Sequence, residues 1–262
     1  MKYGSFNHLN LPPWVVGSHH FNDNPQRVAI QGVLENNRFL FERLAGMGEQ
    51  ADRARFFCDY MSVKFNLHRA EEQTTEYARQ SIKNSYQRFL KGWMIDSNSV
   101  AGAVLKHWVE RRTGITPTYH NACIDGISSE SYYTYMLDAL NGSTHTSAID
   151  SQLDLLYEYC QFELRLIYPP DARLTLYRGT HDAEEYEILE ECGKREQIVR
   201  LNNLVSFTDE PERAWEFGRT VWRTEVPPAK IFFYSGLLPG SILKGENEYM
   251  IIGGQYRVRR MR

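Results

Sequence analysis

Apolar residues in the first two-thirds of the chain recur at spacings of three and four, the period of a helix with one buried face. Ile30, Val33, Leu34, Phe41 and Leu44 keep this spacing between Asn24-Pro25, which offers a cap and a first-turn proline, and the stop signals Gly46 and Gly48. Stripes follow at Phe56, Phe57, Tyr60, Met61 and Phe65, and at Tyr86, Phe89, Leu90 and Trp93. Ala103, Val104 and Trp108 predict a helix stopped near Gly114, and Tyr132, Tyr135, Met136, Ala139 and Leu140 another stopped near Gly142. A last helix is predicted over Ile149, Leu153, Leu156, Tyr157, Cys160 and Leu164, ending at Pro169-Pro170. All these aromatic-rich stripes read as packing between helices.

Beyond Pro169-Pro170 the period falls to two. Leu174, Leu176 and Arg178 alternate with Arg173, Thr175 and Tyr177, a strand pattern ending on Gly179. An acidic stretch from Ala183 to Cys192 reads as a short helix, then QIVRL and LVSFT read as strands around an Asn202-Asn203 turn. EPERAWEFG reads as a helix capped by Thr208 or Asp209 with Pro211 in its first turn. Four short strands complete the chain: VWRTEV, KIFFY, EYMII and QYRVRRM, the last two parted by Gly253-Gly254. The pattern predicts an α+β protein, with a helical region over 1–168 and a small mixed β-rich core over 169–262. No internal repeat or low-complexity tract is visible.

A length of 262 residues allows one large domain or two small ones. Hydrophobic residues make up 42% and charged residues 24%, which excludes disordered, collagen-like and disulfide-dense classes. A net charge of −3 argues against sequence-independent nucleic-acid binding, which needs a cluster of Lys and Arg facing several phosphates. The basic tail Arg257, Arg259, Arg260 and Arg262 is too short to change this. Apolar runs such as Ile231-Phe232-Phe233-Tyr234 fall far below the roughly 20 residues a membrane-spanning helix needs. The N-terminal stretch MKYGSFNHLNLPPWVVG has no secretory or transit character. Cys58, Cys123, Cys160 and Cys192 are scattered without zinc-ligand spacing, so unpaired thiols, no metal and a cytoplasmic location are expected.

The chain contains no P-loop, dinucleotide-binding glycine fingerprint, H-E-x-x-H or G-x-S-x-G. Three pieces of the β-rich part are instead odd for pure structure. Arg178 occupies a strand face otherwise given to Leu174 and Leu176, where a guanidinium is costly unless a carboxylate or phosphate meets its fork of donors. Ser206-Phe207-Thr208 ends a strand with two hydroxyls on the face of Leu204. Glu246 and Glu248 enter an apolar strand two residues apart, on one face, and must find a cationic partner or a raised pKa.

This order of Arg, Ser-x-Thr and Glu-x-Glu resembles the site of arginine-directed mono-ADP-ribosyltransferases. The stretches FNDNPQRVAIQGVLENNRFLF, GWMIDSNSVAGAVLKHWVERRTGITPTYH, LYRGTHD, VSFTDEPERAWEFG, AKIFFYSGLLPG and LKGENEYMIIGGQYRV further resemble the bacterial NAD-dependent dinitrogenase reductase ADP-ribosyltransferase family. The resemblance reaches from about residue 20 to the end, helical region included. It implies an ADP-ribosyltransferase core in which Arg178 holds the NAD phosphates and Gly179 admits backbone groups to the nicotinamide amide. It further implies that Ser206, Phe207 and Thr208 brace the site, that Glu248 is the catalytic glutamate, and that Glu246 orients the acceptor arginine. The loop from Ser235 to Gly245 would present the site to the target. NAD is the implied co-substrate, dinitrogenase reductase the implied protein substrate, and a PII-type nitrogen-signalling protein the implied regulator. The helical region is the implied place of partner recognition.

Other readings of the same residues are an arginine-directed transferase with another protein target, an NAD glycohydrolase using water, and an inactive NAD-binding module. A purely structural reading joins Arg178 and the two glutamates in one ion cluster.

Overall fold

The structure, a computed structural model, describes residues 8–67, 85–144, 148–181, 186–239 and 247–261. Its helical part comprises α1 (Pro13–Val16), α2 (His19–Asp23), α3 (Val33–Asn36), α4 (Arg38–Ala45), α5 (Gln50–Lys64), α6 (Tyr86–Ile95) and α7 (Val100–Thr113). A two-stranded hairpin, β1 (Tyr119–His120) and β2 (Ala122–Cys123), precedes α8 (Glu130–Ser143) and α9 (Ile149–Ile167). Capping follows the serines: the hydroxyls of Ser18, Ser99 and Ser129 accept from the amides of Phe21, Gly102 and Tyr132. Gly114, with φ +73°, ends α7 in the left-handed region that favours glycine.

The β-rich part comprises β3 (Leu174–Thr180), β4 (Glu187–Glu191), β5 (Glu196–Thr208), α10 (Pro211–Glu216), β6 (Thr220–Val226), β7 (Ile231–Tyr234) and β8 (Glu248–Arg260). β5, β3, β6 and β8 pair in a closed ring, a small antiparallel barrel, with β4 added beside β5 and β7 beside β8. The α+β class holds, with helices first and the β-rich part after. The strands of this sheet pair antiparallel throughout, where a mixed sheet was expected. One hydrophobic cluster runs from Leu9 through the helices to Val258, with α9 at its centre. Two buried arginines pair bidentately with carboxylates of α9, Arg112 with Asp154 and Arg53 with Glu163.

Several local expectations are corrected. No helix starts at Pro25: Asn24 closes α2, the amide of Asn10 donates to Ala29 O, and helix begins only after Gly32, held at φ +78°. Glu187–Glu191 is strand β4 rather than helix, because pairing with β5 outweighs the helix preference of its glutamates; 182–185 lie outside the described residues. Asn202-Asn203 is a bulge within one long strand, not a turn between two. β8 likewise runs unbroken through Gly253-Gly254. The two features are one: a Cβ on Gly253 would lie 1.6 Å from Asn202 O, so the bulged backbone can press onto β8 only at a glycine.

Candidate active site

Two strand pairs and one close helix approach build the site. In the β5–β8 register Thr208 lies opposite Glu248 and Ser206 opposite Met250, so Ser206 and Glu248 are diagonal neighbours on one face. β3 touches β5 at a single pair, Tyr177 with Thr208, and otherwise runs along β6, with Arg178 opposite Trp222. After Thr208 the chain turns into α10, helped by the Thr208 hydroxyl, which accepts from the amide of Glu210 at 3.2 Å. α10 then packs on β3 where Gly179 and Gly218 leave room: a Cβ on Gly179 would lie 2.0 Å from Ala214 O, and one on Gly218 2.2 Å from Thr180 O.

A cavity of about 300 Å³ opens here, lined by Arg178, Gly179, Ser206, Phe207, Thr208 and Glu248 among others. Every described residue singled out from the sequence therefore reaches the same cavity. Glu246, and residues 240–246 of the loop expected to present the site, lie outside the described residues.

Ser206 is the hub. Its hydroxyl donates to Glu248 Oε1, and its carbonyl accepts from Arg178 Nη1 at 2.7 Å. Arg178 Nε donates to the Tyr186 hydroxyl at 2.9 Å, and its guanidinium carbon lies 5.8 Å from the centre of that ring. Arg178 and Glu248 make no direct ion pair among the described residues; Ser206 stands between them. The ion cluster of the structural reading also includes Glu246, which lies outside the described residues. Glu248 itself is only 6% exposed. Its amide donates to Ser235 Oγ at 2.7 Å.

The sequence reading missed two contributors. Tyr186 lies within the acidic stretch, Ala183 to Cys192, read as helix, and nothing in its neighbours ties it to Arg178. Trp93 was read as one more packing position on α6, yet its indole Nε1 donates to Ser206 Oγ at 2.9 Å and Glu248 Oε1 at 3.1 Å. The signal available was its place in GWMIDSNS, inside the stretch that carries the family resemblance; Met94, Ile95, Asp96 and Ser97 line the cavity with it.

An arginine fork, a serine and a buried glutamate thus converge on one cavity at the edge of a small barrel. The sequence pattern of the dinitrogenase reductase ADP-ribosyltransferase (DRAT) family matches residues 6–260, nearly the whole length, and the chain belongs to that family. It is similar to the NAD(+)--dinitrogen-reductase ADP-D-ribosyltransferase of Rhodospirillum rubrum, at 39% identity over 259 residues, which covers 97% of this chain and 94% of that protein. No solved structure matches. Among the described residues no helix is long and apolar enough to cross a membrane.

Proposed function

We propose that the protein is an NAD-dependent mono-ADP-ribosyltransferase that moves ADP-ribose from NAD to an arginine of dinitrogenase reductase, releasing nicotinamide and switching off nitrogen fixation. The observation that carries this reading is the meeting of Arg178, Ser206 and Glu248 in one cavity of a chain that belongs to this family over nearly its full length. Arg178 offers its guanidinium fork to the NAD phosphates. When the nicotinamide–ribose bond breaks, its electron pair leaves with nicotinamide and positive charge grows on the ribose. Glu248, buried and oriented by Ser206, stabilises that charge in the transition state more than in the ground state.

The acceptor guanidinium, with a pKa above about 12, is a poor nucleophile until it loses a proton. In this proposal Glu246 pairs with it, orients it and takes the proton as nitrogen bonds to the ribose carbon. The region 1–168 serves partner recognition, including that of a PII-type regulator, and 169–262 forms the NAD-binding core. The enzyme works in the cytoplasm.

The test is transfer from labelled NAD with and without reduced dinitrogenase reductase. Label on an arginine of that protein supports the proposal; free ADP-ribose alone points to a glycohydrolase. Glu248→Gln is expected to bind NAD nearly as the parent does and to lower transfer roughly 10²–10³-fold, the cost of one electrostatic stabiliser. Near-normal transfer in that variant sinks the role of Glu248.

A further inference from the structure

A tryptophan that only fills a core needs one partner for its indole N–H. Trp93 is 3% exposed, and its N–H is shared between Ser206 and Glu248, the two residues on which the proposed chemistry turns. It arrives from the helical part, 155 residues before Glu248 in the sequence. A charge-assisted donor on a carboxylate oxygen fixes the carboxylate's rotation as well as favouring its ionised form.

The ring is itself held. Lys106, on the next helix, places its ammonium 6.0 Å from the Trp93 ring centre, and only 1% of the residue is exposed. Lys106 Nζ donates to Asn98 Oδ1 and Tyr119 O, each at 3.0 Å, and lies 3.4 Å from His120 Nδ1. His120 Nε2 in turn lies 3.2 Å from Asp138 Oδ2 on α8. Two glycines let α6 and α7 close far enough for this stacking: a Cβ on Gly92 would lie 2.4 Å from the Ala101 Cβ, and one on Gly102 2.1 Å from Ser97 O. The segment Asp96–Ser99 between the helices is thereby pinned, and Asp96 and Ser97 form one wall of the cavity.

We propose that Trp93 is a positioning residue for the Glu248 carboxylate and that Lys106 locks its indole in place, so the helical part completes the active site as well as serving partner recognition. This rests on the reading of Glu248 as the catalytic carboxylate. Acting through Glu248, Trp93 governs the chemical step and leaves NAD affinity to Arg178.

The test uses the full-length protein. Trp93→Phe keeps a ring and removes the N–H. It is expected to lower kcat for transfer to dinitrogenase reductase roughly 10- to 100-fold, the scale of a misplaced reacting group, with KM for NAD within about twofold. The acid limb of the kcat profile should move to higher pH, since a carboxylate that loses a donor holds its proton more tightly. Among the described residues, Tyr177 and Arg178 on β3, His181 just after it and Asp96 from the α6–α7 connection line the cavity with Glu248, Asp209 lies beside Tyr249 and Lys106 stands behind the indole, and all are unchanged in the variant. Lys106→Met should lower kcat less, and the double variant should be no slower than Trp93→Phe alone, because Lys106 acts through the indole.

A folded Trp93→Phe with parental kcat and an unmoved acid limb, or with a loss confined to KM, overturns the proposal. Where Trp93→Phe does not fold, Lys106→Met and Lys106→Arg decide: Met lowering kcat and Arg recovering part of it supports the proposal, and three equal values overturn it. Failure of the underlying reading looks different, since Glu248→Gln would then be as active as the parent.

Discussion

Ser235 clasps Glu248 by both its backbone amide and its backbone carbonyl. The Glu248 amide donates to Ser235 Oγ at 2.7 Å, the same hydroxyl donates to Glu248 O at 3.1 Å, and the Ser235 amide donates to that carbonyl at 3.0 Å. The two ends of the connection from β7 to β8 are thus joined where the carboxylate begins. Gln50 on α5 adds an outer tie, donating to Gly236 O at 3.0 Å.

Ser235→Ala removes the two bonds made by the hydroxyl and keeps the backbone one. Each such bond contributes about 1 kcal/mol, so urea unfolding should show a loss of roughly 1–2 kcal/mol. Transfer should slow at saturating NAD, because the freed strand end carries Glu248. Ser235→Thr restores the hydroxyl and should recover most of both; a Thr variant as impaired as Ala would mean the clasp is not what matters.

Arg178 is tied at Nε to Tyr186 and at Nη1 to Ser206 O, so its plane is set before any ligand arrives. Arg178→Lys keeps the charge and loses the planar fork. Calorimetric titration with NAD should show affinity falling about tenfold or more, a change of at least about 1.4 kcal/mol. Unchanged affinity would remove Arg178 from the phosphate-binding role.

The Asn202-Asn203 bulge and Gly253 form a second lock, since the Asn202 carbonyl occupies the space a side chain on Gly253 would fill. Gly253→Ala should therefore cost about 3 kcal/mol or more, as forced overpacking of a fixed backbone does. The measurement is denaturant unfolding of the full chain, and a loss below about 1 kcal/mol would show that the bulge can flatten.

The residues that carry charge out of pattern were legible. Arg178 breaks an apolar alternation, and Glu248 opens an apolar strand, so both stood out against their own neighbours and both line the cavity. Trp93 was hidden because an indole suits a packed helical stripe, and its N–H partners lie 113 and 155 residues away. β4 was misread because glutamates favour helix locally, and only the β5 edge makes a strand of them. Asn202-Asn203 looked like a turn for a similar reason: what turns two polar residues into a bulge is an unbroken partner strand, which no local pattern reveals.

The buried lysines give the fold a pH dependence whose sign can be stated. Lys230 is fully buried, donating to Val16 O at 2.7 Å and Gly253 O at 2.6 Å, with its ammonium 5.3 Å from the Tyr256 ring centre. Burial without a compensating carboxylate lowers its pKa from 10.5 to about 7, and burial lowers that of Lys106 to about 7 as well. Between these values the unfolded chain keeps a proton that the folded one releases, so stability falls as pH is lowered from 10.5 towards about 7 and levels off below that, where both states hold the proton. The window to measure is pH 7 to about 8.5, because the Cys58 and Cys160 thiols, raised by burial, oppose the trend at higher pH. One such proton gives a slope of at most about 1.4 kcal/mol per pH unit. Lys230→Met lowers stability throughout by leaving two carbonyls without a donor, but its slope across this window should be shallower than the parent's by about 1 kcal/mol per pH unit. Parallel slopes in urea titrations of the two proteins would show that Lys230 stays charged in the fold.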